Sequence, residues 1–221
     1  MSEAGTAYLV HPDGGPGPGV LVLHSWWGLT TTVKDFCNAL ADAGFTALAP
    51  DLLGGANPDT GAEAQFVLEE ADMNTTAGLV ISSAHELRAR SRNPEAPVGA
   101  IGFSMGASWA YWLSARLPGS IKAVVAYYGT QNIEFDDAQA SYLVHIADDD
   151  TIASADDTNE TLAFLGLAGR PFTAHHYERA SHFFAERGAS DYDEASAELA
   201  WDRTLEFLRT ELNPSDHASG N

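Results

Sequence analysis

Short, continuous apolar runs alternate along the chain with longer stretches in which apolar residues recur every three or four positions. Residues 20–24, Val-Leu-Val-Leu-His, read as a buried strand; Phe45–Ala49, Val98–Phe103, Ile121–Tyr127 and Tyr142–Ala147 read as further strands, and Phe172–Tyr177 as the last. Between them the pattern predicts helices from about Thr32, with Val33, Phe36 and Leu40 on one stripe, and over 63–72, 76–90, Met105–Arg116 and 157–167. A last helix is predicted from Asp193 to Leu212, with Leu205, Leu208 and Leu212 sharing a face. The segment Asp51–Thr60, rich in Gly, Pro and Asn, reads as loop. Strands alternating with helices imply the α/β class, with a mostly parallel central sheet and helices on both faces. The pattern shows no repeat and no linker. The expectation is one domain over 1–212, followed by a polar C-terminal tail, 213–221, too poor in apolar residues to pack.

Composition refines this picture. A chain of 221 residues, 45% of them hydrophobic, is long enough to bury a substantial core. No run approaches the roughly 18 apolar residues of a membrane span. The first residues, Met1-Ser2-Glu3-Ala4-Gly5, lack the basic-then-apolar order of a signal peptide. Cys37 is the single cysteine, so no internal disulfide can form, and its place in a helical stripe suggests a buried structural thiol. A cytoplasmic location is expected on these grounds. The net charge of −20, with only two lysines (Lys34 and Lys122), sets up a field that repels nucleic acid and anionic membranes. It suits either a solvated acidic surface or adaptation to high salt. Small-molecule chemistry is therefore expected rather than nucleic-acid or membrane binding. Oligomeric state is not legible.

The chemistry is carried by Gly102-Phe103-Ser104-Met105-Gly106. Gly-x-Ser-x-Gly alone is a weak motif, but here it follows a predicted buried strand directly and precedes a predicted helix directly. A sharp turn at that point lifts the serine hydroxyl above the sheet, at a helix N-terminus that favours developing negative charge. An N-cap serine is the plainer alternative. A serine hydroxyl needs a base, and the base needs an orienting acid. In folds with this turn the order is Ser, acid, His. The strand Tyr142–Ala147 runs into Asp148-Asp149-Asp150, and His182 lies in a predicted loop after the last strand. Spacing alone does not choose among the three aspartates. His145, His175 and His176 fall within predicted strands, where structural roles are expected, and His24 comes too early to serve as base. Three consecutive carboxylates without a Gly-punctuated ligand loop do not read as a metal site.

Several ordered segments together resemble the dienelactone hydrolase family, over about Val20 to Leu212. They are His24-Ser25-Trp26-Trp27-Gly28-Leu29, Ala43-Gly44-Phe45 through Ala49-Pro50-Asp51-Leu52, the serine motif, Tyr127-Tyr128-Gly129, His145 through Asp150, and Tyr177 through Phe184. The resemblance implies an α/β-hydrolase fold without a large cap domain. It aligns the catalytic aspartate with Asp150 and the base with His182, and implies oxyanion donors at the backbone N–H groups of Trp26 and Met105. No cofactor or metal is implied. The chain departs from the family's pattern in three places. Ser104 stands where a cysteine is usual, Ser25 where a glutamate helps to form the thiolate, and Glu186 at the position of an arginine that clamps the substrate carboxylate. A carboxylate in that place would repel an anionic lactone, which argues against dienelactone itself as substrate. Trp27, Phe183 and Phe184, with Trp26 and Phe66, are candidate walls of an apolar acyl pocket.

The expected activity is hydrolysis of a carboxylic ester or lactone through an acyl-enzyme on Ser104. The same residues could instead serve a thioesterase, peptidase or acyltransferase, and a non-catalytic binding module on the same fold is the alternative of a different class.

Overall fold

The computed structural model describes residues 6–212, so the predicted tail 213–221 lies outside the described residues. In chain order the elements are β1 (Ala7–Val10), β2 (Gly19–Leu23), α1 (Thr31–Asp42), β3 (Thr46–Pro50), α2 (Gly61–Glu70), α3 (Met73–Arg90), β4 (Val98–Phe103), α4 (Met105–Arg116), β5 (Ile121–Tyr127), β6 (Ser141–Ala147), α5 (Ala155–Leu167), β7 (Phe172–Tyr177) and α6 (Glu194–Leu212). The strands form one sheet in the order β1-β3-β2-β4-β5-β6-β7. Every neighbouring pair is parallel except β1 with β3, which is antiparallel.

The continuous apolar runs make sense in this setting, because a parallel strand covered on both faces needs apolar side chains in both directions. Along β2, Leu21 and Leu23 join the core cluster under α3, α4 and α5, while Val20 and Val22 join the cluster under α1 and α6. Ala100 and Ile101 of β4 divide in the same way. Burying each such side chain contributes roughly 1.5–3 kcal/mol before entropy is counted. Cys37 is fully buried in α1 within the second cluster, and burial pushes its thiol up to about 12, as expected for a structural residue.

Three helices start earlier than periodicity indicates, and local capping explains each start. Thr60 accepts from the Glu63 N–H at the head of α2, Asp72 from the Asn74 N–H at α3, and Ser154 from the Asp157 N–H at α5. The apolar stripe begins only after the first turn, so it dates these helices two or three residues late. α2 is the most weakly embedded. Ala64 is its one buried residue, Phe66 is 64% exposed, and clefts of ≈ 460 and ≈ 360 Å³ flank it.

The order of strands fixes where chemistry can occur. From β2 the chain passes through α1 to β3 on one side, then returns through α3 to β4 on the other. The carboxyl ends of β2 and β4 therefore diverge into a crevice at a topological switch point, where open α/β sheets bind ligands. The residues that follow these two ends are His24–Gly28 and Ser104.

Candidate active site

Ser104 occupies a backbone conformation that L-residues rarely adopt, with φ 51° and ψ −115°. Its N–H still donates to Tyr127 O (2.9 Å), at the end of β5, while its carbonyl already accepts from Ala107 N–H (2.8 Å) of α4. The strand thus becomes a helix within one residue. The two motif glycines permit it. A Cβ on Gly102 would fall 2.2 Å from Gly106 O, and one on Gly106 would fall 2.0 Å from Leu23 O. The missing side chains let α4 rest directly on the ends of β2 and β4.

The Ser104 hydroxyl lies 2.6 Å from His182 Nε2, and His182 Nδ1 lies 2.9 and 2.7 Å from the two oxygens of Asp150. An ionised carboxylate can only accept, so Nδ1 carries the ring proton and Nε2 is free to accept from Ser104 O–H. Asp150 is itself fixed, because its Oδ1 also accepts from Ile152 and Ala153 N–H (both 2.8 Å). The Asp150 and His182 side chains are nearly buried. The loops that carry them are joined by Asp148 N–H to Tyr177 O and Asp149 N–H to Ala180 O. The ambiguity among the aspartates disappears at this level. Asp148 pairs with the exposed His176 (2.7 Å), Asp149 is exposed, and only Asp150 reaches His182.

His145 in β6 and His24 after β2 have other occupations. His145 is fully buried between the Tyr177 hydroxyl (2.8 Å) and Thr204 (3.0 Å), and burial drives its pKa well down. His24 receives Leu52 N–H at Nε2 (2.9 Å), so its Nδ1 carries the proton and donates to Ser25 O (2.6 Å). This neutral ring, with its pKa lowered by burial, pins the segment after β2 to the segment after β3. Trp26 and Met105 both border this corner. Among the described residues neither backbone N–H has an acceptor. Two such donors, one at the N-terminus of α4 and one in the turn after β2, can stabilise an oxyanion.

The predicted pocket residues divide. Trp26, Trp27 and Phe183 form a cluster with ring centroids 5.4–5.8 Å apart, and Phe183 also lies edge-on to His182 at 4.6 Å. Phe184 does not join them. It is fully buried and packs on Tyr177 (4.8 Å) and Tyr128 (5.3 Å), as core. Phe66 lies on the exposed side of α2, outside the cluster.

The larger correction concerns Glu186. Its carboxyl does not face solvent. It is buried, and accepts from Ser25 Oγ–H (2.7 Å) and Tyr128 O–H (3.1 Å). Burial pushes its pKa up to about 7 against the opposing pull of those two hydroxyls. Residues 181–189 coil through successive turns, so a spacing of four from His182 does not put Glu186 on the same side. Tyr128, at φ 39°, was part of a matching segment but was given no role by sequence reasoning, and its ring packs on His182 at 5.1 Å. A glutamate following Phe183-Phe184-Ala185 was the available signal, since a carboxylate in an apolar run is often a buried one with partners.

Comparison with known proteins agrees with this architecture. The chain is 28% identical over 215 residues to Protein usf of Aquifex pyrophilus, covering 93% of both chains. It is 26% identical over 216 residues to the carboxymethylenebutenolidase of Pseudomonas putida, covering 91% of this chain and 89% of that one. Among solved structures, a dienelactone hydrolase-like promiscuous phosphotriesterase from metagenomic libraries superposes with a TM-score of 0.82 at 22% identity, covering 93% and 92%. An esterase from Thermogutta terrifontis superposes at 0.71 and 13% identity, covering 95% and 89%. These two likenesses establish the α/β-hydrolase fold. The profile of the dienelactone hydrolase family matches residues 6–212, the whole described chain, and the protein belongs to that family.

Proposed function

We propose that the protein is a serine hydrolase that cleaves a carboxylic ester or lactone through an acyl-enzyme on Ser104. The observation that carries this reading is the continuous hydrogen-bonded line Ser104–His182–Asp150 at the head of α4, in the crevice between β2 and β4. As Ser104 Oγ attacks the carbonyl carbon, its proton passes to His182 Nε2, and Asp150 stabilises the imidazolium. The N–H groups of Met105 and Trp26 receive the developing oxyanion. His182 returns the proton to the leaving oxygen. It then takes one from water, whose oxygen attacks the acyl carbon, and delivers it to Ser104 Oγ as the acyl–oxygen bond breaks. A serine suits this arrangement because it needs no resting anion, and the carboxyl bonded to Ser25 is not directed at the nucleophile.

A fluorophosphonate probe tests the reading without a known substrate. Ser104 Oγ is expected to displace fluoride and form a phosphonyl ester, mapped by mass spectrometry, and His182→Ala is expected to abolish it. A folded protein unlabelled at Ser104 would overturn the proposal.

The wall beside His182 is aromatic, and six basic side chains are engaged elsewhere. Arg88, Arg90 and Lys122 are in ion pairs, Arg170 bonds the Ala138 carbonyl, and Arg187 and Arg203 lie over tyrosine rings. Neutral esters should therefore exceed otherwise matched esters bearing an acyl-chain carboxylate by about tenfold or more in kcat/KM, corresponding to roughly 1.4 kcal/mol. Equal or faster turnover of the anionic ester would exclude this substrate preference.

A further inference from the structure

Glu186 is a buried carboxyl that the proposed chemistry does not use, yet both of its oxygens reach groups that flank the reacting centre. Oε2 accepts from Ser25 Oγ, which in turn accepts from Trp27 N–H (3.4 Å). Ser25 and Trp27 bracket Trp26, the residue whose free N–H borders the crevice. Oε1 accepts from Tyr128 O–H, and the Tyr128 ring backs His182. Thus one carboxyl joins the segment after β2, the segment after β5 and the loop that carries the histidine.

We infer that Glu186 is a positioning residue, whose ionised carboxylate aligns the Trp26 N–H and the His182 ring on Ser104 through Ser25 and Tyr128. The inference rests on the serine-hydrolase reading for its kinetic consequence. The donor count supports the ionised form. An ionised carboxylate accepts from both hydroxyls, Ser25 O–H and Tyr128 O–H, and brings no proton of its own to the contact. Protonating Glu186 turns one of its oxygens into a donor and a weaker acceptor, which weakens or reverses one of the two hydroxyl bonds. The groups facing the carboxyl are those of Ser25 and Tyr128, with His182 behind the tyrosine ring. Arg187 is directed onto the Tyr192 ring instead. The pKa of about 7 places the change within an ordinary assay range. Burial also makes the charge costly to the fold. A carboxyl raised from 4.5 to about 7 on folding contributes stability that is fully present below about pH 4.5 and lost as pH rises through 7.

The test compares wild type with Glu186→Gln, using p-nitrophenyl acetate turnover and tryptophan emission from about pH 5.5 to 9. The variant should lose about 100-fold in kcat at pH 8, the scale of a misplaced site, with KM changing far less. Below about pH 7 the wild-type log kcat should fall more steeply than the variant's, by one further decade per pH unit. Emission from Trp26 and Trp27 should shift across the same range in wild type only. Equal kcat and parallel pH profiles would overturn the inference. So would an emission shift that is absent from wild type or shared by the variant, and this arm applies even if the ester is not turned over and Ser104 does not label. If Glu186→Gln does not fold, Ser25→Ala and Tyr128→Phe cut the two arms separately. Each should then lower kcat and blunt the emission shift, and two variants indistinguishable from wild type would again overturn the inference.

Discussion

Asp150→Asn is expected to lower kcat by about 10⁴ while leaving the fold unchanged. The separation follows from the two oxygens of Asp150. Oδ1 accepts from the Ile152 and Ala153 N–H groups, and an asparagine carbonyl in the same place can keep both bonds. The amide nitrogen then takes the place of Oδ2, 2.7 Å from His182 Nδ1. Because that nitrogen is a donor in the shorter of the two contacts, and the carbonyl at Oδ1 already accepts two backbone N–H groups, the tautomer with the proton on Nε2 is favoured. The histidine would then point N–H at Ser104 Oγ and could not accept the serine's proton. Thermal melts should overlay those of wild type while ester turnover collapses. A variant within tenfold of wild type would show that Asp150 does not orient the histidine.

The second large effect is on stability. Gly106→Ala should cost at least about 4 kcal/mol, the range reserved for unavoidable steric conflict. The new Cβ would lie 2.0 Å from Leu23 O and 2.6 Å from His24 O, backbone atoms at the end of a strand bonded on both sides. Neither can move without displacing the sheet. Gly78→Ala is the contrasting control. It lies in α3 with nothing within 4 Å of a Cβ, so the helix should gain about 0.5–1 kcal/mol. By scanning calorimetry a drop of roughly 10 °C or more is expected for Gly106→Ala, if it folds, and a small rise for Gly78→Ala. A Gly106→Ala melt within about 2 °C of wild type would mean that α4 does not rest on β2 as described.

The central parallel strands were legible because each is a mainly apolar run long enough to be covered on both faces, whereas β7, Phe-Thr-Ala-His-His-Tyr, is largely exposed at the sheet's edge and was placed by its order after α5. β1 was not legible, since Ala7–Val10 is four residues long, partly exposed and antiparallel at the sheet's edge, with no run or alternation to mark it. The serine and histidine segments could be placed from order alone. The choice of Asp150 over Asp148 needed the family resemblance, because the pairing of Asp148 with His176 depends on how two loops cross. Glu186 and Phe184 were misplaced for a common reason. Both lie in a run of tight turns, where neither a period of two nor one of 3.6 tells which way a side chain points. The Ser25–Glu186–Tyr128 link spans 161 and 58 residues of sequence, beyond the reach of any local pattern.

The weak embedding of α2 has a bearing on how this protein can change over generations. The helix is anchored by Ala64, and its first residue abuts the Trp26 ring, where a Cβ on Gly61 would lie 3.8 Å from that ring. Most positions along α2 can drift at little expense to folding, yet the segment borders the aromatic wall beside Ser104 and His182. Ser104, Gly106 and Asp150 have no such latitude. Sequence divergence among descendants of this chain is thus free to accumulate in one poorly anchored helix, while the hydrogen-bonded residues beneath it stay fixed.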